Sequence, residues 1–190
     1  MIGTPPKPPF FLVSNHLSYV DIPALRLAAN GIFVAKSEIK DWFLAGAMIR
    51  NMGNVFIDRK NRRDIPRAGA KVIKKLSEGE GVVLFPEGTS TKGESVLPFN
   101  SSFLEFASST DLPVSYAAIR YVTPAGGPTP SERVCWWDDT GFLEHMWRLF
   151  SLPSFKAVIT FGDEPITNPD RKHLAARLHQ KVEEAFIPML

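Results

Sequence analysis

Apolar residues along this chain fall into two kinds of stretch: short unbroken runs, and longer segments where they recur every three or four positions. The runs at Phe10 to Val13, Ile32 to Ala35, Asn54 to Asp58 and Val82 to Phe85 have the length of buried strands and polar or glycine flanks. Leu112 to Tyr121 predicts a longer strand, Val134 to Trp137 another short one, and Phe155 to Phe161 an alternating one. Helical spacing predicts helices over Val20 to Ala29, Glu38 to Asn51, Asp64 to Glu78, Phe103 to Ser108, Phe142 to Phe150 and Asp170 to Phe186. Pro23 and Pro66 sit near helix starts, where proline is tolerated, and Gly31 and Gly79 read as stops. Pro124 to Pro130 reads as a surface loop. Strands alternating with helices, without repeats, predict one α/β domain over 10–190 with a mixed, mostly parallel sheet flanked by helices. Residues 1–9, with four prolines, read as an N-terminal arm.

Composition changes this picture little: 190 residues, 44% hydrophobic and 22% charged, are ordinary for a globular domain. The single cysteine, Cys135, excludes an internal disulfide, and beside Trp136 and Trp137 it reads as a packed, inert thiol. No apolar segment approaches the ~18 residues of a membrane span; the best is Trp42 to Ile49. Whether an anchor precedes Met1 is left open by the sequence. Charge is uneven. Arg59 to Lys75 holds eight basic residues and one acid, a window of +7 against −5 for the rest. On the predicted helix, Arg67, Lys71, Lys74 and Lys75 share a sector of about 100°. Such a face suits an anionic surface, though a solvated face is an equal reading. Nucleic acid is disfavoured, because the window contains no aromatic residue to stack on bases.

The candidate chemistry lies in Asn15-His16-Leu17-Ser18-Tyr19-Val20-Asp21. A histidine at a strand end and an aspartate in the first turn of the next helix can meet. The carboxylate then holds one imidazole nitrogen and leaves the other to accept a proton. Alone, such a pair is more often a structural hydrogen bond. A second polar loop, Pro86 to Gly93, follows the strand at Val82 to Phe85, and open α/β sheets bind ligands at the carboxyl ends of their strands. Ser18 reads as a cap in the first helical turn, since no Gly-x-Ser-x-Gly elbow exists. His145, His173 and His179 are not spaced i, i+4, so no metal site is expected.

Three stretches occur in order: Asn-His-Leu-Ser-Tyr-Val-Asp at 15–21, Gly-Asn-Val-Phe-Ile-Asp-Arg at 53–59 and Phe-Pro-Glu-Gly-Thr-Ser at 85–90. Together they resemble the motifs of the glycerolipid acyltransferase family, which includes the 1-acylglycerol-3-phosphate acyltransferases. Leu112-Pro113-Val114 resembles the core of a fourth family block. The resemblance implies a glycerol-3-phosphate acyltransferase-like fold, with His16 as general base and Asp21 as its orienting partner. It implies that Arg59 binds an anionic group of the acceptor, that Glu87, Gly88 and Thr89 shape the acceptor site, and that Pro113 belongs to the acyl-donor block. Glu87 has a second reading, as a loop residue capping neighbouring amides. The implied reaction moves a fatty acyl group from acyl-CoA or an acyl carrier protein, as co-substrate, to the hydroxyl of a lysolipid such as 1-acylglycerol-3-phosphate. No bound cofactor is implied.

The expected setting is cytoplasmic, peripheral on the inner face of the membrane, docked through the basic face at 59–75. An acidic acyl carrier protein is another candidate for that face. Two positions depart from the family pattern, Ser90 where an arginine is common and Tyr116 where a second proline is common. Ser90, Leu97 to Ser102 and Val134 to Trp137 resemble the bacterial lyso-ornithine lipid acyltransferase branch. The rival of another class is a non-catalytic lipid-binding domain at a membrane surface.

Overall fold

A computed structural model describes residues 1–37, 53–58 and 64–189. Every apolar run except one becomes a strand: β1 (Phe10–Ser14), β2 (Gly31–Lys36), β3 (Val55–Ile57), β4 (Gly81–Leu84), β5 (Val114–Val122) and β6 (Lys156–Phe161). They form one sheet in the order β3-β2-β4-β1-β5-β6. All neighbours are parallel except β5 and β6, which run antiparallel. The mixed, mostly parallel sheet is therefore the expected one. β1 and β4 are buried along their whole length, because a parallel sheet must be covered on both faces. Phe10 lies flat over Gly81, where an added Cβ would come within 2.3 Å of the ring. The N-terminal arm joins the far edge, with Ile2 N–H donating to Ile159 O at 2.9 Å and Ile2 O accepting from Phe161 N–H at 2.9 Å.

The described helices are α1 (Asp21–Ala29), α2 (Asp64–Ser77), α3 (Glu105–Ser109), α4 (Pro130–Arg133), α5 (Phe142–Phe150) and α6 (Arg171–Ala185). α2 packs on β3 and β4, α3 bridges α2 and α6, and α6 lies on β5, so these three form one layer. α1 packs against β2. The helix expected over Phe103 to Ser108 is split into a tight turn at Ser101–Leu104, capped by the Asn100 side chain, followed by α3. α1 ends on Asn30, left-handed at φ 53°, and Gly31 already begins β2. The helix expected over Glu38 to Asn51 lies outside the described residues. Among the described residues, no helix is long and apolar enough to cross a membrane.

One expected strand is absent. Pro130 starts α4, closed by a capping box between Thr129 and Glu132. The N–H groups of Val134 and Cys135 then both donate to Pro130 O, at 2.8 and 3.0 Å, and Trp136 N–H donates to Leu17 O at 2.8 Å. These amides close a helix and brace a loop, so no ladder forms. The apolar side chains of Val134 and Cys135 are buried as a strand's would be, by a different backbone path.

Asp64 anchors the start of α2. Its carboxylate accepts from Asp58 N–H at 2.6 Å, just after β3, and pairs with Arg67, whose second nitrogen lies 2.7 Å away. The Arg67 hydrogen bond, helped by the Asp58 amide, holds the Asp64 carboxyl down at about 2. The unfolded chain protonates this group near its ordinary 3.8, so the stabilisation is complete above that pH and disappears as pH falls to about 2. Asp64→Asn is expected to lower the melting temperature at neutral pH and to flatten the acid loss of stability across that window. Thermal melts of both proteins over the same pH series read this directly.

Candidate active site

The parallel register sets the site. Leu12, Val83 and Phe33 lie in one row, as do Lys36 and Ile57 on the neighbouring strands. Extending these rows beyond the strand ends puts His16, Glu87 and Asp58 at one level, at the carboxyl edge where such sheets bind ligands. Asp58 lies three strand spacings from His16, about 14 Å. Arg59, the next residue, lies outside the described residues.

His16 Nδ1 is 2.7 Å from Asp21 Oδ2. A carboxylate only accepts, so Nδ1 carries the proton and Nε2 carries the lone pair. Nε2 makes no hydrogen bond among the described residues, and the His16 side chain is 22% exposed. The ring stacks on Phe85, with centroids 4.2 Å apart and planes 13° from parallel. Asp21 is fully buried. Its Oδ2 also accepts from Leu17 N–H at 2.7 Å and Ser18 N–H at 3.0 Å, and its Oδ1 accepts from the Tyr121 hydroxyl at 2.6 Å. A buried carboxylate stays ionised only when its lone pairs are filled in this way. Burial, with Asp21 beside it, pushes the Tyr121 hydroxyl well above its ordinary range, so Tyr121 remains a donor.

The His16 backbone is held at both its polar atoms. His16 N–H donates to Glu87 Oε1 at 2.6 Å, and His16 O accepts from Thr91 N–H at 2.9 Å. Glu87 Oε2 accepts from Leu97 N–H at 2.8 Å, so both its oxygens cap backbone amides. Burial raises the Glu87 carboxyl to about 7 against the pull of these two amides. Asn15 continues the β1–β5 ladder with its side chain, accepting from Ile119 N–H at 2.7 Å and donating to Ile119 O at 2.9 Å. Gly88 takes the left-handed φ of 79° that closes the turn back to Phe85. Thr89 is exposed beside it. Ser90 donates its hydroxyl to Trp136 O.

Ser18 does not cap α1: its hydroxyl is buried without a partner among the described residues, while its amide and that of Leu17 hold Asp21. Those two amides are therefore not open to stabilise an oxyanion. Pro113 is not brought to this site. Phe11 pairs with Val114, which leaves Pro113 at the amino end of β5, about six residues or 20 Å from the level of His16. Among the described residues, no group of three or more His, Cys, Asp or Glu side chains could hold a metal ion.

The sequence profile described as Acyltransferase matches residues 3–120. The chain belongs to the acyltransferase family. It is similar to a 1-acyl-sn-glycerol-3-phosphate acyltransferase of Neisseria gonorrhoeae, 33% identical over 150 residues, which cover 79% of this chain and 58% of that one. It is also similar to two lyso-ornithine lipid O-acyltransferases. That of Rhizobium meliloti is 28% identical over 189 residues, 93% of this chain and 64% of the other. That of Pseudomonas aeruginosa is 31% identical over 186 residues, 97% of this chain and 70% of the other. The chain thus spans 58% to 70% of the length of these relatives. The crystal structure of the 1-acyl-sn-glycerophosphate acyltransferase of Thermotoga maritima matches with a TM-score of 0.57 and 28% identity, covering 92% of this chain and 65% of that one.

Two further groups complete the site region, and neither had a motif to announce it. Tyr121, on β5, looks in sequence like one more core aromatic. His145, on α5, is buried; its Nε2 lies 3.0 Å from Cys135 O and its Nδ1 3.2 Å from the Tyr19 hydroxyl. A carbonyl can only accept, so His145 Nε2 carries the proton and Tyr19 donates to Nδ1. Burial favours the neutral form of both, lowering the His145 pKa and raising Tyr19 to about 12. This pair braces the loop three residues beyond His16. Cys135 is pushed up to about 12 by burial, so it is a thiol and not a thiolate at neutral pH. A cleft of about 830 Å³ opens beside it, and His16 does not line it.

Tyr121→Phe leaves a buried carboxylate short of one donor and is expected to cost about 1.5–3 kcal/mol in urea unfolding, against about 1 for Tyr19→Phe, whose partner is neutral. Equal costs would remove the special standing given to Asp21. Glu87 has the opposite pH sign to Asp64. The unfolded chain loses this proton near 4.5 and the folded protein near 7, so stability is lost as pH rises through that window. The loss amounts to up to about 3 kcal/mol, and Glu87→Gln is expected to abolish that slope in unfolding measured from pH 4.5 to 7.

Proposed function

We propose that this chain carries lysolipid O-acyltransferase activity, with His16 as general base and an acyl thioester of coenzyme A or acyl carrier protein as donor. The observation that carries the reading is an imidazole whose Nδ1 is held 2.7 Å from the buried Asp21 and whose Nε2 has no partner among the described residues. In the proposed reaction Nε2 takes the proton of the lysolipid hydroxyl as its oxygen attacks the thioester carbonyl carbon. The C–O bond forms, the tetrahedral oxyanion collapses, and the C–S bond breaks. The imidazolium, stabilised by Asp21, returns its proton to the departing thiolate. Atoms balance without a covalent enzyme intermediate, and the inert Cys135 supports that. A non-catalytic lipid-binding domain has no use for a base braced at this many points.

For the acceptor, two observations favour lyso-ornithine lipid over 1-acylglycerol-3-phosphate. Ser90 stands where a cation is common in the family, and its hydroxyl is tied to Trp136 O. The lyso-ornithine relatives also align with 93% and 97% of this chain, against 79% for the Neisseria gonorrhoeae enzyme.

The test is acyl transfer from labelled acyl-CoA and acyl carrier protein to a panel headed by lysophosphatidic acid and lyso-ornithine lipid. His16→Ala is expected to lower the rate by about 10²–10⁴. A folded His16→Ala protein with full transfer would falsify the base assignment. Release of free fatty acid at one rate with and without any lysolipid would make the chain a hydrolase instead.

A further inference from the structure

α5 is apolar around more than half of its circumference, and this domain covers only part of that surface. At about 100° per residue, His145, Leu149, Phe142 and Met146 form the side turned to the protein, the first two of them buried. Glu144 and Arg148 make a narrow polar edge and pair with each other. The remaining sector, about 60° wide, holds Leu143, Trp147 and Phe150, which are 59%, 75% and 70% exposed. Phe155, just beyond the helix, is 37% exposed, and exposed Lys156 follows it.

The segment that carries this bare face is joined to the site region at two points. His145 of α5 bonds Tyr19, in the loop after His16, and the Phe155 ring packs on Tyr121, which holds Asp21. It therefore adjoins the site where a lipid would arrive under the proposed function. Its make-up is that of an interfacial helix: tryptophan, phenylalanine and leucine on one side, arginine at the edge, and too short to span. A cation–aromatic pair, Lys92 over the Trp137 ring at 5.6 Å, lines the cleft that Arg148 also lines. By contrast, the basic face of α2 is partly neutralised, with Arg67 paired to Asp64, and Lys74 and Lys75 to Glu78.

We propose that the Leu143–Trp147–Phe150 face of α5 inserts into the interfacial layer of a lipid bilayer and seats the site on the membrane. The proposal rests on the lysolipid reading for its biological sense, but its test does not. The full chain and the Trp147→Ser, Phe150→Ser double variant are cosedimented with phosphatidylethanolamine–phosphatidylglycerol vesicles, in salt high enough to screen the α2 lysines. The variant, whose melting temperature should match the parent because both residues are exposed, is expected to bind at least about tenfold more weakly. Lys71→Gln, Lys74→Gln under the same salt should bind like the parent.

Brominated lipids should quench the parent's fluorescence more than that of a Trp147→Leu protein. Acyl transfer to a lysolipid in vesicles should fall in the double variant, while transfer to a short-chain lysolipid dissolved as monomer stays the same. Equal vesicle binding by parent and variant overturns the docking face and leaves the acyltransferase reading standing. A parent that acylates no lysolipid sinks the latter, while the binding result still decides the former. Concentration-dependent dimerisation abolished by the double substitution, with vesicle binding unchanged, would make this face a contact between copies of the chain and overturn the proposal.

Discussion

The buried carboxylate of Asp21 is the constraint on which the rest of the site depends. A charge out of contact with water is tolerable only if donors fill its lone pairs, and here the four donors come from two parts of the chain, residues 16–18 and β5. Two are amides of the turn after β1, one is the imidazole of His16, and one is a phenol on β5. Satisfying Asp21 therefore fixes the turn, the ring and the β1–β5 pairing together. The imidazole is thereby held in one orientation, so the proposed proton transfer needs no ordering of the ring.

The sheet supplies the platform. Parallel strands end at one edge, so the segments after β1, β3 and β4 meet at the level of His16 although more than forty residues separate the first two in sequence. Glu87 uses that proximity to grip the His16 amide, and Thr91 grips its carbonyl. The region beyond β5 adds a brace from the other side through Trp136, Tyr19 and His145. That brace joins the His16 loop to α5, whose outer surface is left bare. The proposed active site and an exposed aromatic helix face are thus parts of one packed unit.

Charge and apolar surface divide the molecule's exterior differently from the sequence pattern. The basic window reads as one strong patch in sequence, yet Asp64 and Glu78 answer three of its cations in the fold. The α5 sequence, amphipathic on paper, suggests a helix with its apolar side packed, yet half of that side faces outward.

The chain's own sequence determined the element order, the α/β class and the dyad. Local physics writes those features: period-two and period-3.6 burial, proline and glycine punctuation, and a histidine five residues before an aspartate at a strand-to-helix junction. Only the tertiary structure decided that Tyr121 completes Asp21, that Glu87 caps backbone amides, that Pro113 lies at the far end of the sheet, and that Val134 to Trp137 is not a strand. Each of these depends on which distant residue takes a particular hydrogen bond. Tyr121 lies 100 positions from Asp21. A periodic pattern says that such a residue is buried; the partner of its hydroxyl is set by the register of strands that meet only in the folded chain.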